Sequence, residues 1–136
     1  MNYPFSPELD QLIPLFPLST VLYPDGLLPL RIFEPRYLDM VSEALRNNSF
    51  FGIVPIRSGR ETGETPDFFD VGTIANIASW DQGSDGLLQI QVLGGKSFRI
   101  TSNGVRDNQL LVGNIVFIDE ASDSAIPSQY AYLREL

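Results

Sequence analysis

Apolar segments and prolines alternate near the start of the chain. Hydrophobic stretches occupy residues 12–18, 21–23 and 27–33, and each contains or adjoins a proline. Because proline has no amide hydrogen for a sheet ladder, these stretches predict short edge strands and extended segments rather than central strands. Pro24-Asp25-Gly26 predicts a turn in which proline presets φ and glycine supplies the positive φ.

A helical pattern follows directly. Apolar residues recur at the i, i+3, i+4, i+7 and i+8 spacing of a buried helical stripe, with polar residues opposite. The stripe contains Tyr37, Met40, Val41, Ala44 and Leu45, and the polar face contains Arg36, Asp39, Ser42, Glu43 and Arg46. Pro35 suits the first turn, and Glu34 places a carboxylate at the positive helix end as its cap. We predict one main helix over about residues 35–47.

The rest of the chain predicts strands. Apolar or alternating segments lie at 50–56, 71–80, 88–92, 98–100 and 110–118. Gly94-Gly95-Lys96 separates two of them and predicts a hairpin turn. Short strands, one helix and then a run of antiparallel-type strands predict a β-rich α+β domain with a curled or barrel-like sheet. A βαβ fold would need several crossover helices.

The length of 136 residues and 43% hydrophobic content suit one packed domain. We divide the chain into an N-terminal lead-in (1–11), a domain (12–118), and an acidic linker with the start of a C-terminal helix (119–136). No cationic and apolar leader opens the sequence, and no stretch approaches the roughly 18 apolar residues that a membrane span needs. We therefore expect a cytoplasmic protein without a membrane segment.

Composition removes much catalytic chemistry. Without cysteine or histidine, the chain cannot build a His/Cys zinc site, a Ser–His–Asp triad or a Cys–His dyad. Seventeen acidic against nine basic residues give a net charge of −8, which repels phosphate backbones. Nucleic acid is therefore an unlikely partner, and binding is favoured over catalysis.

Several motifs together resemble a known family. The segments are Ile13 to Leu18, Val21 to Gly26, Leu28 to Tyr37 with the block Phe33-Glu34-Pro35-Arg36-Tyr37, Phe51 to Val54, Val71 to Ile77, and Gly94 to Ile100. In this order they resemble the substrate-binding N-terminal domain of Lon proteases, over residues 12 to 118. The family's C-terminal helices are not matched before Leu136, so the resemblance indicates a stand-alone or truncated member.

The resemblance implies a PUA-like pseudo-barrel of short, mostly antiparallel strands. It also implies a non-catalytic module that recognises polypeptide substrates or a protein partner, such as an ATP-dependent protease. The ATPase and peptidase modules of Lon are not seen, and we expect no catalytic residue, cofactor or metal. Two alternatives stay open: an RNA-binding PUA-like domain, which the net charge disfavours, and a small-molecule-binding regulatory domain, which would need a deep pocket.

Three motifs imitate catalytic or metal sites. Gly95-Lys96-Ser97 resembles the end of a P-loop, but position 90 is isoleucine instead of the required glycine. Lys96 is the sole lysine and lies in a predicted exposed turn, which disfavours a Ser–Lys dyad. The loop from Asp81 to Gly86 resembles a calcium loop, yet valine at position 92 replaces the bidentate glutamate.

Candidate binding residues are aromatic. Phe68 and Phe69 end a polar loop, and Trp80 ends a strand. If exposed together, they would form an apolar patch able to anchor a partner; the alternative is a small cluster covering the barrel mouth. For the family-signature block Phe33, Glu34, Pro35, Arg36 and Tyr37 we predict structural roles, with Arg36 paired locally.

Overall fold

The computed structural model of the chain describes residues 11–58, 67–83 and 85–118. Most of the predicted lead-in and all of the predicted acidic linker and C-terminal helix lie outside these residues. The elements are β1 (Gln11–Leu18), β2 (Leu27–Ile32), α1 (Pro35–Asn47), β3 (Phe51–Ser58), β4 (Asp67–Phe68), β5 (Val71–Gln82), β6 (Leu88–Val105) and β7 (Leu111–Phe117).

Five strands close into a barrel. They are bonded in the order β1, β7, β6, β5 and β3, and a parallel pairing of β1 with β3 completes the circle. The other pairings are antiparallel, with β4 added to β3 and β2 added to β6. The prediction of a β-rich, mostly antiparallel domain with one main helix is confirmed for the described residues.

The prolines of β1 do not mark an edge strand, so that prediction is wrong for β1. Residues 11–14 of β1 pair with β7, and residues 15–18 pair with β3. Each half of the strand is therefore bonded on one side only, and Pro14 and Pro17 fit a strand that passes from one neighbour to the other. For β2, whose one partner strand is β6, the edge prediction is right.

The predicted hairpin turn at residues 94–96 is also wrong, because β6 runs through it without reversing. Thr73 and Ala75 of β5 pair with Ser97 and Gly94 of β6, so β6 carries one extra residue there, a β-bulge. An extra residue moves every later side chain to the opposite face. The bulge thus lets one strand serve two separate cores.

Those two cores lie on opposite sides of the barrel wall. Before the bulge, Ile90 and Val92 pack in a cluster with Tyr37, Met40 and Val41 of α1. After the bulge, Phe98 and Ile100 pack in a second cluster that the barrel strands enclose. Strand β1 contributes side chains to both clusters, which explains why its residues 15–18 are buried on both faces.

Helix α1 has the predicted bounds, but two side chains differ from the prediction. Leu45 is 39% exposed, and Arg36 is buried at 8% exposure because its guanidinium is held by partners. Glu34 is the N-cap residue, yet its side chain makes no capping bond and pairs with Arg36 instead. In the turn before β2, the positive φ belongs to Asp25 (65°) and not to Gly26.

Candidate functional site

One part of the sheet leaves the barrel with a face open to solvent. Strand β2 and the second half of β5 flank the first half of β6, forming three antiparallel strands. One face packs on the cluster beneath α1; the other, which we call the outer face, is exposed. By strand register, the outer face carries Leu27, Pro29 and Arg31 from β2, Gln89, Gln91 and Leu93 from β6, and Ser79 and Asp81 from β5.

A second bulge determines which β5 side chains reach this face. Ile77 pairs with Val92, whereas Ser79 pairs with Gln91, so Ala78 is the extra residue in β5. Ile77 packs towards the core, and beyond the bulge Ser79 and Asp81 turn to the outer face. Without this bulge, the face would lose its carboxylate.

The three strands form an open groove with a volume of about 540 Å³. Its lining consists of Pro29, Leu30, Arg31, Ser79, Trp80, Asp81, Gln89, Ile90 and Gln91. Six of these nine residues belong to the outer face, and all six are exposed. The groove is therefore a surface feature suited to an elongated ligand rather than an enclosed cavity.

Two opposite charges lie across the groove. Arg31 and Asp81 are both register partners of Gln89, one on each side of it. The ion pairs formed among the described residues join Arg36 to Glu34, Arg57 to Asp67 and Arg106 to Glu43. Neither charge of the groove takes part in them.

Apolar side chains adjoin the groove. Leu27 and Leu93 are direct cross-strand partners and are 63% and 41% exposed. Trp80 is 56% exposed, but it is the register partner of the buried Ile90, so its side chain lies on the opposite face of the sheet. Large apolar side chains exposed side by side are typical of interaction surfaces.

The aromatic residues selected from sequence are not brought together. Phe68 is partly buried against the barrel-interior cluster, and the Phe69 ring lies under the guanidinium of Arg57 at 4.9 Å. Trp80 lies near the other end of β5, nine strand residues beyond Val71, which is roughly 30 Å of extended chain. Trp80 lies in the groove-forming part of β5 with its side chain on the opposite face, whereas the two phenylalanines lie apart from the groove.

The signature block fastens α1 to the β6–β7 turn. Arg36 forms an ion pair of 3.1 Å with Glu34 and donates a 3.0 Å hydrogen bond to the carbonyl oxygen of Gln109. The buried Tyr37 ring stacks on Phe16 with centroids 4.1 Å apart. Of the block, Phe33 and Pro35 are exposed.

The motifs that imitate catalytic or metal sites lie in surroundings that do not match a P-loop, a Ser–Lys dyad or a calcium loop. Lys96 is exposed and its ammonium lies over the ring of Phe117, and Phe98 continues a strand where a P-loop needs a helix. Asp81 belongs to β5, and Asp85 accepts a hydrogen bond from the amide of Leu87. Among the residues that the structure describes, no group of three or more acidic side chains is placed to hold a metal ion.

Comparison with known proteins identifies the family of this chain. The sequence model of the ATP-dependent protease La (LON) substrate-binding domain matches residues 12–136. The chain belongs to this family. The Lon substrate-binding domain is non-catalytic, in agreement with a site that consists of a groove and apolar side chains.

Individual relatives are Lon proteases. The chain is 32% identical to Lon protease 2 of Syntrophobacter fumaroxidans over 95 residues, which are 69% of this chain and 12% of that protein. It is 27% identical to the Lon protease of Parabacteroides distasonis over 128 residues, covering 93% of this chain and 15% of that one. The Lon-type domain described here thus spans about an eighth of the length of these proteases.

Two solved structures share its fold. A Lon N-terminal domain protein from Xanthomonas campestris superimposes with a TM-score of 0.71 and 36% identity, covering 90% of this chain and 68% of that one. The N-terminal domain of the Mycobacterium avium complex Lon protease gives a TM-score of 0.63 at 16% identity, covering 88% and 59%. No helix among the described residues is long and apolar enough to cross a membrane.

Sequence reasoning missed most of the outer face. Leu27 and Arg31 lie in a predicted strand but in no predicted site, and Leu93 falls between the predicted strand 88–92 and the predicted turn, although the alternation of Gln89 and Gln91 with apolar residues pointed to a solvent face. The pairing of β2 with that face joins distant segments of the chain. Pattern along one strand does not show which strand lies beside it.

Proposed function

We propose that this Lon-type domain binds extended polypeptide segments with exposed apolar side chains, and that it binds them on the outer face. The proposal is carried by one observation: the solvent-exposed Leu27–Leu93 pair adjoins an open groove lined by exposed polar side chains. Membership of the Lon substrate-binding family supports it, since the domain of that family binds the substrates of a protease.

Burial of the leucine pair supplies the driving force. Removing a leucine side chain from water is worth roughly 2 kcal/mol. The groove beside it adds polar groups from Gln89, Gln91 and Ser79, which donate and accept hydrogen bonds and suit the backbone of an extended chain. Apolar side chains and backbone amide groups occur in most polypeptide sequences, so a site of this kind can bind many different substrates.

The other candidate ligands suit this site less well. RNA affinity depends on several cations that neutralise phosphates, and the groove lining offers Arg31 together with the carboxylate of Asp81. Small ligands favour pockets that enclose most of their surface, whereas this groove is open. We infer a non-catalytic, cytoplasmic role in delivering polypeptides to an ATP-dependent protease; the absence of cysteine suits such a reducing compartment.

Titration with a reduced and alkylated model protein, which cannot fold, tests the proposal. A fluorescent label on the unfolded chain reports binding by its anisotropy. We expect the anisotropy to rise to saturation as the domain is added. The double variant Leu27→Ser/Leu93→Ser should bind roughly thirtyfold more weakly, because the exposed parts of the two leucines together amount to about one side chain, or roughly 2 kcal/mol.

Leu12→Ser is the matched control. Leu12 is 57% exposed, but it lies on β1 beside Asn114 and far from the outer face. Its substitution should leave affinity unchanged. Equal weakening by the control, or unaltered binding by the double variant, would rule out the outer face as the binding site.

A further inference from the structure

Arg31 and Asp81 are opposite charges held apart on one face. Both are exposed, and Gln89 separates them in the same row of the sheet. Two interstrand steps place their Cα atoms about 10 Å apart. The Debye length at physiological ionic strength is about 8 Å, so each charge is largely screened from the other. Each remains available to a ligand.

We propose that Arg31 and Asp81 select polypeptide segments with an acidic and a basic side chain about three residues apart. This inference rests on the proposed function and names the kind of segment that the outer face prefers. The acidic side chain would pair with Arg31 and the basic one with Asp81. Segments with two like charges would meet one attraction and one repulsion.

The spacing matches the conformation of an unfolded chain. Polyproline II is a major conformer of unfolded polypeptides, with three residues per turn and a rise of about 3.1 Å per residue. Side chains at i and i+3 therefore point the same way about 9 Å apart, close to the Arg31–Asp81 separation. The alternative β conformation places same-facing side chains about 7 or 13 Å apart, which fits less closely.

The groups between the charges suit such a segment. A polyproline II backbone has no internal hydrogen bonds, so its amide and carbonyl groups need partners. Gln89, Gln91 and Ser79 lie between or beside the charged residues and provide both donors and acceptors. The charge pair, the spacing and the polar lining all favour a mixed-charge extended segment.

Three synthetic peptides with one common leucine- and serine-containing frame test this. They carry Asp and Lys, two Asp, or two Lys at positions three residues apart, and affinities are measured by fluorescence anisotropy of the labelled peptides at physiological salt. Exposed ion pairs are individually weak. We therefore expect the mixed peptide to bind roughly three- to tenfold more tightly than the two-Asp peptide.

Charge reversal at each residue should switch the preference. Arg31→Glu leaves two negative charges and should favour the two-Lys peptide, while Asp81→Lys leaves two positive charges and should favour the two-Asp peptide. Arg46→Glu and Asp39→Lys are matched controls, since they change net charge equally at exposed positions of α1. These controls should keep the wild-type order of the three peptides.

The outcomes separate the two proposals. If all three peptides bind wild type equally, or if the α1 controls switch the preference as the groove variants do, charge selection by Arg31 and Asp81 is wrong while polypeptide binding stands. If no peptide and no unfolded protein binds, the proposed function fails and the charge selection with it. A switch confined to the groove variants supports the inference.

Discussion

Gly94 occupies a position that has no room for a side chain, and Gly94→Ala is therefore expected to destabilise the domain strongly. A Cβ at residue 94 would collide with the carbonyl oxygen of Tyr23, which belongs to the backbone and cannot rotate away. The same glycine accepts a 2.9 Å hydrogen bond from the amide of Asp25 and donates one of 2.8 Å to the carbonyl of Gly26.

The magnitude follows from these contacts. Overpacking that moves the backbone costs about 1–3 kcal/mol, and weakening the two hydrogen bonds adds about 1 kcal/mol each. A total of about 4 kcal/mol is a large part of the 5–15 kcal/mol that typically separates folded from unfolded domains. We expect the melting temperature to fall by roughly 10–20 °C.

Thermal melting and urea denaturation followed by circular dichroism measure this effect. Gly104→Ala is the matched control in the same strand, because a Cβ there meets nothing within 4 Å. It should stabilise the domain by about 0.5 kcal/mol, since glycine is entropically costly within a strand. A Gly94→Ala variant whose free energy of unfolding lies within about 1 kcal/mol of the wild-type value would refute the close approach of the Tyr23 carbonyl to Gly94. It would also count against a β-bulge, instead of a turn, at this position.

Three further predictions concern the core and the groove. Arg36→Met should lower the free energy of unfolding by about 2–3 kcal/mol in urea denaturation, because Glu34 and the Gln109 carbonyl lose their partner; Glu34→Gln, which keeps an acceptor, should cost less. Phe98→Ala should cost about 3–5 kcal/mol in the same assay, since the ring is fully buried inside the barrel. Trp80→Ala should cost about 1–2 kcal/mol in thermal melting, because nearly half of the side chain is buried, and should leave the binding of unfolded protein measured by fluorescence anisotropy within about twofold of wild type, because the ring lies on the face opposite the groove.

The main features of the fold were predictable because they depend on local pattern. The apolar spacing from Tyr37 to Ala44 and the proline at the helix start mark α1 regardless of what packs on it. The path of β6 was not predictable in this way. A glycine pair between two alternating segments is typical of a hairpin, and only the distant Tyr23 carbonyl shows that Gly94 is needed for close packing instead.

The candidate site was predictable only in part for a related reason. Trp80 was selected from sequence and lies in a groove-forming strand, but Pro29 and Arg31 of the outer face come from a strand about fifty residues earlier. Arg36 was expected on a polar surface, where its helical position would place it. Its burial results from Gln109, a turn residue with a φ of 72° that presents its carbonyl to α1.

Strand β2 also explains why recognition would use a face of the sheet rather than its edge. The hydrogen bond from Gly94 to Gly26 sets the phase of the ladder, so Leu27, Pro29 and Arg31 direct their backbone groups to the free edge. Proline has no amide hydrogen, and the central donor of that edge is therefore missing. A polypeptide added there as another strand would lose its middle bond, and so would the edge of a second copy of the domain. The same three residues direct their side chains to the outer face. Pro29 thus weakens the addition of a further strand at the edge of β2. At the same residues, the leucine, proline and arginine side chains remain presented to a ligand on the outer face.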